Sequence, residues 1–210
     1  MSETLVDHFN EQARARPRET VQLGPSLKAC NLERFGGIHV IWTSNLPDHL
    51  RLQDPIEENE PYTLLVFHHA AMLEAHLNSD IFPLGLVKET MQTLGLLFPK
   101  YDIATIKWFR VQDRTVGNSL DPQVIGYAPI EASQRTTASF HFWAERLAIL
   151  NSTYDAAEPR TLGQWWADRR NPVQWATFWT AALVLALTIF FGIVQSVEGA
   201  LQVYKAYHPG

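Results

Sequence analysis

Between Asn171 and Val197 the chain carries twenty-seven consecutive residues without a formal charge, NPVQWATFWTAALVLALTIFFGIVQSV. A helix that is apolar all round is either enclosed by protein on every side or placed in lipid, where its backbone groups are satisfied within the helix. The remaining portion, about 170 residues, is polar-leaning and ill suited to enclosing such a helix. Spanning needs roughly 20 apolar residues at ~1.5 Å rise each, and Trp175–Val194 alone supplies that number. Thr177, Thr180 and Thr188 do not oppose a span, since a threonine hydroxyl can bond back to a carbonyl of its own helix. The expectation is one transmembrane helix over residues 173–205, with the lipid bilayer as its first partner.

The flanks support that expectation. Trp165, Trp166, Trp175 and Trp179 lie on one side and Tyr204 and Tyr207 on the other, amphipathic aromatics of the kind that settle at the membrane–water interface. A helix from Trp175 to Tyr204 is about 43 Å long, close to the ~40–45 Å of a bilayer with its headgroups. Arg160, Arg169 and Arg170 precede the run and only Lys205 follows it. Positive-inside asymmetry then puts the N-terminal portion in the cytosol and the C-terminus on the lumenal or external side. The first residues, MSETLVDHFNEQARARPRE, lack an apolar h-region, and Ser2 stands where myristoylation needs glycine. The reading is a tail-anchored protein, with the sequon Asn151-Ser152-Thr153 unmodified because it stays on the cytosolic side. Gly192, Ser196 and Ala200 form a small-xxx-small ridge that permits homo-oligomers through the span. Gln195 and Glu198 fit the far interface.

Net charge is −5. Residues 174–210 hold one base (Lys205) and one acid (Glu198), so the remainder also stands at −5. The densest basic groups, Arg14/Arg16/Arg18 and Arg169-Arg170, are too small for a nucleic-acid face, and that partner class is set aside. Cys30 is the single cysteine; it fits a reducing compartment and, with no His or acid signature around it, reads as a small buried residue.

Along the chain, residues 1–25 read as a loosely ordered N-terminus with at most a short Leu5/Phe9/Ala13 helix. Residues 26–132 read as an α+β domain. Its expected elements are a strand at Ile38–Thr43 after Gly36-Gly37 and a short helix in SNLPDHLRL. An acidic loop, Gln53–Pro61, then leads to a central strand at Tyr62–His68 and a helix in AAMLEAHL. A longer helix opens at Pro83-Leu84, with Leu86, Thr90, Leu94 and Leu97 on one face, and ends before Pro99. Alternation in IATIKWFR predicts a third strand, and QVIGY a short extended piece. From Thr136 the spacing Phe140, Trp143, Leu147, Leu150, Tyr154 predicts a helix, assigned with TLGQWWADRR to a helical stalk and juxtamembrane collar over 133–170. The fold class is α+β: a small domain with a short sheet and several helices, then stalk and span.

The histidines invite a metal: His49 after Asp48, the pair His68-His69, and His76. On a continuous helix His69 and His76 stand about 10.5 Å apart along the axis and cannot share one ion. A site requires His49 to fold back on His68 or His69 with Glu74 or Asp48 helping, and no zinc spacing is present. GxSxG, GxxxxGK[ST] and GxGxxG are absent, and no cofactor is implied. Glu57, Glu58 and Glu60 read as a solvated loop. The collar, with Trp165/Trp166 and Arg169/Arg170, reads as a positive-inside flank with aromatic anchors; the alternative is a headgroup-binding or gating collar with Arg169/Arg170 on anionic phosphates.

The C-terminal third, LGQWWADRRNPVQWATFWTAALVLALTIFFGIVQSVEGALQVYKAYHP, resembles a group of uncharacterised fungal membrane proteins. These share a WWxDRRxxVQWxTFW collar, one span and an EGALQVYKAYH-like tail. Residues 42–52 (WTSNLPDHLRL) and 140–150 (FHFWAERLAIL) are similar to the same group. The resemblance implies fungal origin and a membrane anchor, with no catalytic residues to carry over. The expected function is a non-enzymatic adaptor or signalling module that binds a cytosolic protein. The alternative is a membrane-bound metal-dependent hydrolase built on His49, His68, His69 and Glu74.

Overall fold

The computed structural model describes residue 9 and residues 20–57, 60–157 and 172–207, with side chains of the last segment described from 176 to 202. The chain divides into two compact units, 1–158 and 159–210. Unit 1 is α+β. Its elements in order are α1 (Ala29–Gly36), β1 (Ile38–Thr43), β2 (Arg51–Gln53), β3 (Tyr62–Phe67), α2 (Ala70–Ala75), α3 (Leu86–Leu97), α4 (Ile103–Thr115) and α5 (Ala144–Ala156).

The sheet has the order β1-β3-β2, with β1 parallel and β2 antiparallel to β3. Ile38 pairs with Tyr62 and Thr43 with Phe67 along the parallel ladder. Ile38 and Val40 are buried while His39 and Ile41 face out, the period-2 alternation of a half-covered strand. Central β3 buries Leu64, Val66 and Phe67. Gly37, at φ 60°, ends α1 in the left-handed region and returns its N–H to the Leu32 carbonyl, so the Gly36-Gly37 turn is a glycine C-cap leading into β1.

Three expected elements differ. IATIKWFR is the start of α4, not a strand. Asp102 caps the helix by accepting the Thr105 N–H at 3.0 Å, and its other oxygen pairs with Lys28 Nζ at 2.6 Å. The buried positions are Thr105 and Phe109, four apart, and Ile103 is exposed. β-branched composition imitated a strand where a capped helix forms. QVIGY falls in a 3₁₀ turn, Pro122–Ile125, capped by Asp121. SNLPDHLRL contains one 3₁₀ turn, Leu46–Asp48, and then Leu50 at φ 59° swings the chain into β2.

The segment assigned to a stalk belongs partly to the core. Trp143, Leu147, Leu150 and Tyr154 are buried as their spacing required, but α5 begins only at Ala144. The backbone N–H groups of His141, Phe142 and Trp143 are taken by the Glu89 carboxylate at 2.8, 2.8 and 2.7 Å, which fixes the chain outside the helix until Ala144. Burial pushes the Glu89 carboxyl above its usual range, opposed by those three donors. The N-terminal stretch read as loose is anchored where it is described. Leu23 is buried, its N–H donates to the Arg135 carbonyl at 2.8 Å, and Phe9 meets Trp143 edge-on at 5.9 Å. The rest of 1–19 lies outside the described residues.

Unit 2 contains α6 (Pro172–Tyr207), thirty-six residues long. Within it Ala176–Gln202 has mean hydropathy 2.2 and no part of it is buried. At ~1.5 Å per residue those 27 residues cover about 40 Å, longer than the ~30 Å hydrocarbon layer. Thr180 and Thr188 donate to the carbonyls of Ala176 and Val184 at 2.9 and 2.8 Å, the back-bonding expected of threonine in a span.

Replacing Glu89 with Ala leaves three amides without their acceptor, and chemical denaturation of the first unit should show a loss of about 3 kcal/mol. Glu89→Gln, which keeps one carbonyl acceptor, should lose about half as much.

Candidate functional site

The proposed metal ligands are not brought together. His49 is wholly buried beneath α3, with both ring nitrogens committed. Phe67 N–H donates to Nδ1 at 3.2 Å, so the proton resides on Nε2, which donates to Thr93 Oγ1 at 2.7 Å. Thr93 in turn donates to the Thr90 carbonyl at 2.6 Å. Each group gives one hydrogen and accepts one, which fixes the neutral tautomer. Burial, with the Arg146 charge adding to it, lowers the His49 pKa to about 3. This is a structural histidine.

His68 and His69 follow β3, their rings tilted against each other at 4.0 Å. His69 Nε2 meets Ser44 Oγ at 2.9 Å, and the His68 ring stands edge-on to Trp42 at 6.5 Å. Burial and the neighbouring His69 lower the His68 pKa. Glu74, exposed on α2, neighbours the Tyr127 phenol, whose pKa is raised by burial and by the charges of Glu74 and Asp121. Among the described residues no three His, Cys, Asp or Glu side chains are placed to hold a metal ion. Cys30 lies against Thr105 Oγ1 at 3.3 Å and burial pushes its thiol up, the opposite of nucleophile activation.

Unit 1 has a cleft of about 1090 Å³ between the loop after α2, the exposed flank of α3 and the segment 127–134. Its lining is mixed. Leu77, Phe82, Leu84, Met91 and Ile130 supply apolar surface, and Asp80, Lys88 and Glu131 stand among them. Leu84 is fully exposed and Ile81 beside the cleft largely so. Sequence placed Pro83-Leu84 at the head of a helix; instead Gly85, at φ 91°, precedes α3 and leaves both residues in the loop. The opposite wall approaches because Gly95 has no side chain: a Cβ there would stand 2.6 Å from the Ala128 carbonyl oxygen. His76 closes α2 with Nδ1 3.3 Å from Ser79 Oγ, but the Ser79 oxygen also accepts the Ile81 N–H, so it is a turn-forming serine. The cleft can hold an apolar segment and carries no nucleophile–base–orienter arrangement. The turn-rich string LNSDIFPLG was the available signal for this loop.

Of the residues expected at a membrane interface, Trp165, Trp166, Arg169 and Arg170 lie outside the described residues, as do the side chains of Trp175, Tyr204 and Tyr207. Gly192, Ser196 and Ala200 are exposed on α6, and nothing lies within 4 Å of a Cβ built on Gly192. Asn151, expected to escape glycosylation through its location, is buried in the folded unit. It sits in α5, is 4% exposed, and donates to Asp155 Oδ2 at 2.7 Å. Comparison with family models, with curated proteins and with solved structures gives no match for the chain.

The low His49 pKa makes stability pH-dependent. The neutral ring is favoured by folding, so its contribution is complete above the ordinary pKa of 6.5 and declines as pH falls toward about 3. The folding equilibrium constant should drop about tenfold per pH unit across that window. In His49→Gln the dependence due to this ring should vanish, on a lower baseline, as measured by denaturant titrations at stepped pH.

Proposed function

We propose that this chain is a single-pass, membrane-anchored interaction module whose α+β domain faces the cytosol and receives an apolar segment of a protein partner in the cleft between the α2–α3 loop and residues 127–134. The carrying observation is the pairing of an apolar-rimmed cleft devoid of a catalytic constellation with a helix, α6, that has apolar length for a bilayer and no buried residue. The Arg160, Arg169 and Arg170 excess before α6, against Lys205 after it, supports the orientation. The resemblance to uncharacterised fungal membrane proteins is in keeping with it. The ridge Gly192, Ser196 and Ala200 supports pairing of two copies through α6.

Leu84→Asp places a charge on the apolar rim without touching the core. In proximity labelling from the N-terminal domain it should remove a discrete set of proteins that Ile149→Asp, at an exposed site on α5, retains. Identical labelling by both variants refutes the cleft as the docking site. Orientation is read with added reporters. An acceptor sequon appended after Tyr207 should be glycosylated, and modification of one inserted beside exposed Glu57 instead would reverse the orientation. Gly192→Leu should reduce the oligomeric size in mild detergent, and an unchanged size removes α6-mediated pairing.

A further inference from the structure

We propose that the exposed face of α4 is a docking surface for the anionic headgroups of a membrane. Ile103, Lys107, Arg110 and Arg114 fall at i, i+4, i+7 and i+11, one stripe along the helix, and all four are exposed. Lys100 and Tyr101 extend the stripe beyond its N-terminus and Val111 flanks it. Ile103, Tyr101 and Val111 are 69%, 76% and 60% exposed, large apolar surface on a helix whose other side already serves the core through Phe109.

The charges are uncompensated. Among the described residues none of Lys100, Lys107, Arg110 and Arg114 makes an ion pair. The two acids of this stretch are engaged elsewhere: Asp102 holds Lys28 and Thr105, and Asp113 accepts the Leu120 N–H at 3.1 Å. Lys107/Arg110 and Arg110/Arg114 are like-charge neighbours at i,i+3 and i,i+4, an arrangement that opposes the helix. Outside the C-terminal segment the chain is acidic overall, at −5, so this cationic stripe stands against the surrounding field. Cations interleaved with Ile, Val and Tyr on a convex face make the composition of a surface that lies in the lipid interface. No α4 residue lines the cleft, so the two surfaces are separate. The proximity of a bilayer rests on the anchor reading of α6, which raises the effective concentration of lipid at the domain; the chemistry of the stripe does not.

The test uses the full chain, with Cys30→Ser and Ala104→Cys carrying an environment-sensitive fluorophore on the exposed face. It is reconstituted in phosphatidylcholine vesicles with and without phosphatidylserine, using lipids that bear a quencher at headgroup depth. Carbonate-resistant flotation reads α6 insertion separately, and circular dichroism reads folding. Quenching should occur only with phosphatidylserine, disappear at high salt, and weaken about fivefold for each of Lys107→Gln, Arg110→Gln and Arg114→Gln, with flotation unchanged. No quenching on phosphatidylserine, or equal quenching on both lipids, overturns the proposal. A fluorescence change on adding soluble polyglutamate, where charge-equivalent phosphatidylserine gives no quenching, would assign the stripe to an acidic protein and overturn it too. If the chain fails to float, the anchor reading falls, while added anionic vesicles still decide whether α4 binds them.

Discussion

The polar side of α3 holds unit 1 together. Glu89, Thr90 and Thr93 are buried on that helix, where apolar residues would ordinarily stand; the first two are committed to residues 141–143 and the third to His49. Glu89 grips the three amides ahead of α5, Thr90 Oγ1 accepts the Trp143 indole N–H at 3.0 Å, and Thr93 receives the His49 ring. Such a network is stabilising only when complete, since any buried member left without its partner carries the full cost of desolvation. Here Thr90 passes its own hydrogen to the Leu86 carbonyl and Thr93 to that of Thr90, so the chain closes on the helix backbone.

This network joins residues 42–52 to residues 140–150. His49 and Trp143 meet edge-on at 5.0 Å. Arg146 donates to the Pro47 carbonyl at 2.7 Å and to that of His49, and its guanidinium lies over the Trp143 ring at 5.3 Å. A histidine in the middle of a short loop suggested a ligand, yet it spans two hydrogen bonds that no apolar residue could make between β3 and α3.

Sequence was most legible where one physical period dominates. Alternating burial in β1, the 3–4 spacing of Leu147, Leu150 and Tyr154, and the helix end before Pro99 all follow from hydrophobic period or from proline geometry. It failed where a single side chain outweighs the pattern. Asp102 turns IATIKWFR into a helix by capping it, and Glu89 delays α5 by holding residues 141–143. The cleft was invisible because its walls come from segments some fifty residues apart, joined by the close approach at Gly95. The cationic stripe was missed for a related reason: Lys107, Arg110 and Arg114 look dispersed along the chain and become one surface only on a helix.

The amino-acid sequence by itself determined that the C-terminal segment is a helix apolar enough for a bilayer. That property is a sum over consecutive residues and needs no tertiary partner: α6 satisfies its backbone alone, with no buried residue between Ala176 and Gln202. The flanking arginines and aromatics belong to the same one-dimensional record. Tertiary structure alone decided what the histidines do, where the cleft lies and which charges share a face. The first two depend on distances between residues remote in sequence, set at His49 by its hydrogen bonds to Thr93 and Phe67 and at the cleft by the approach at Gly95. The third depends on the helix that Asp102 caps.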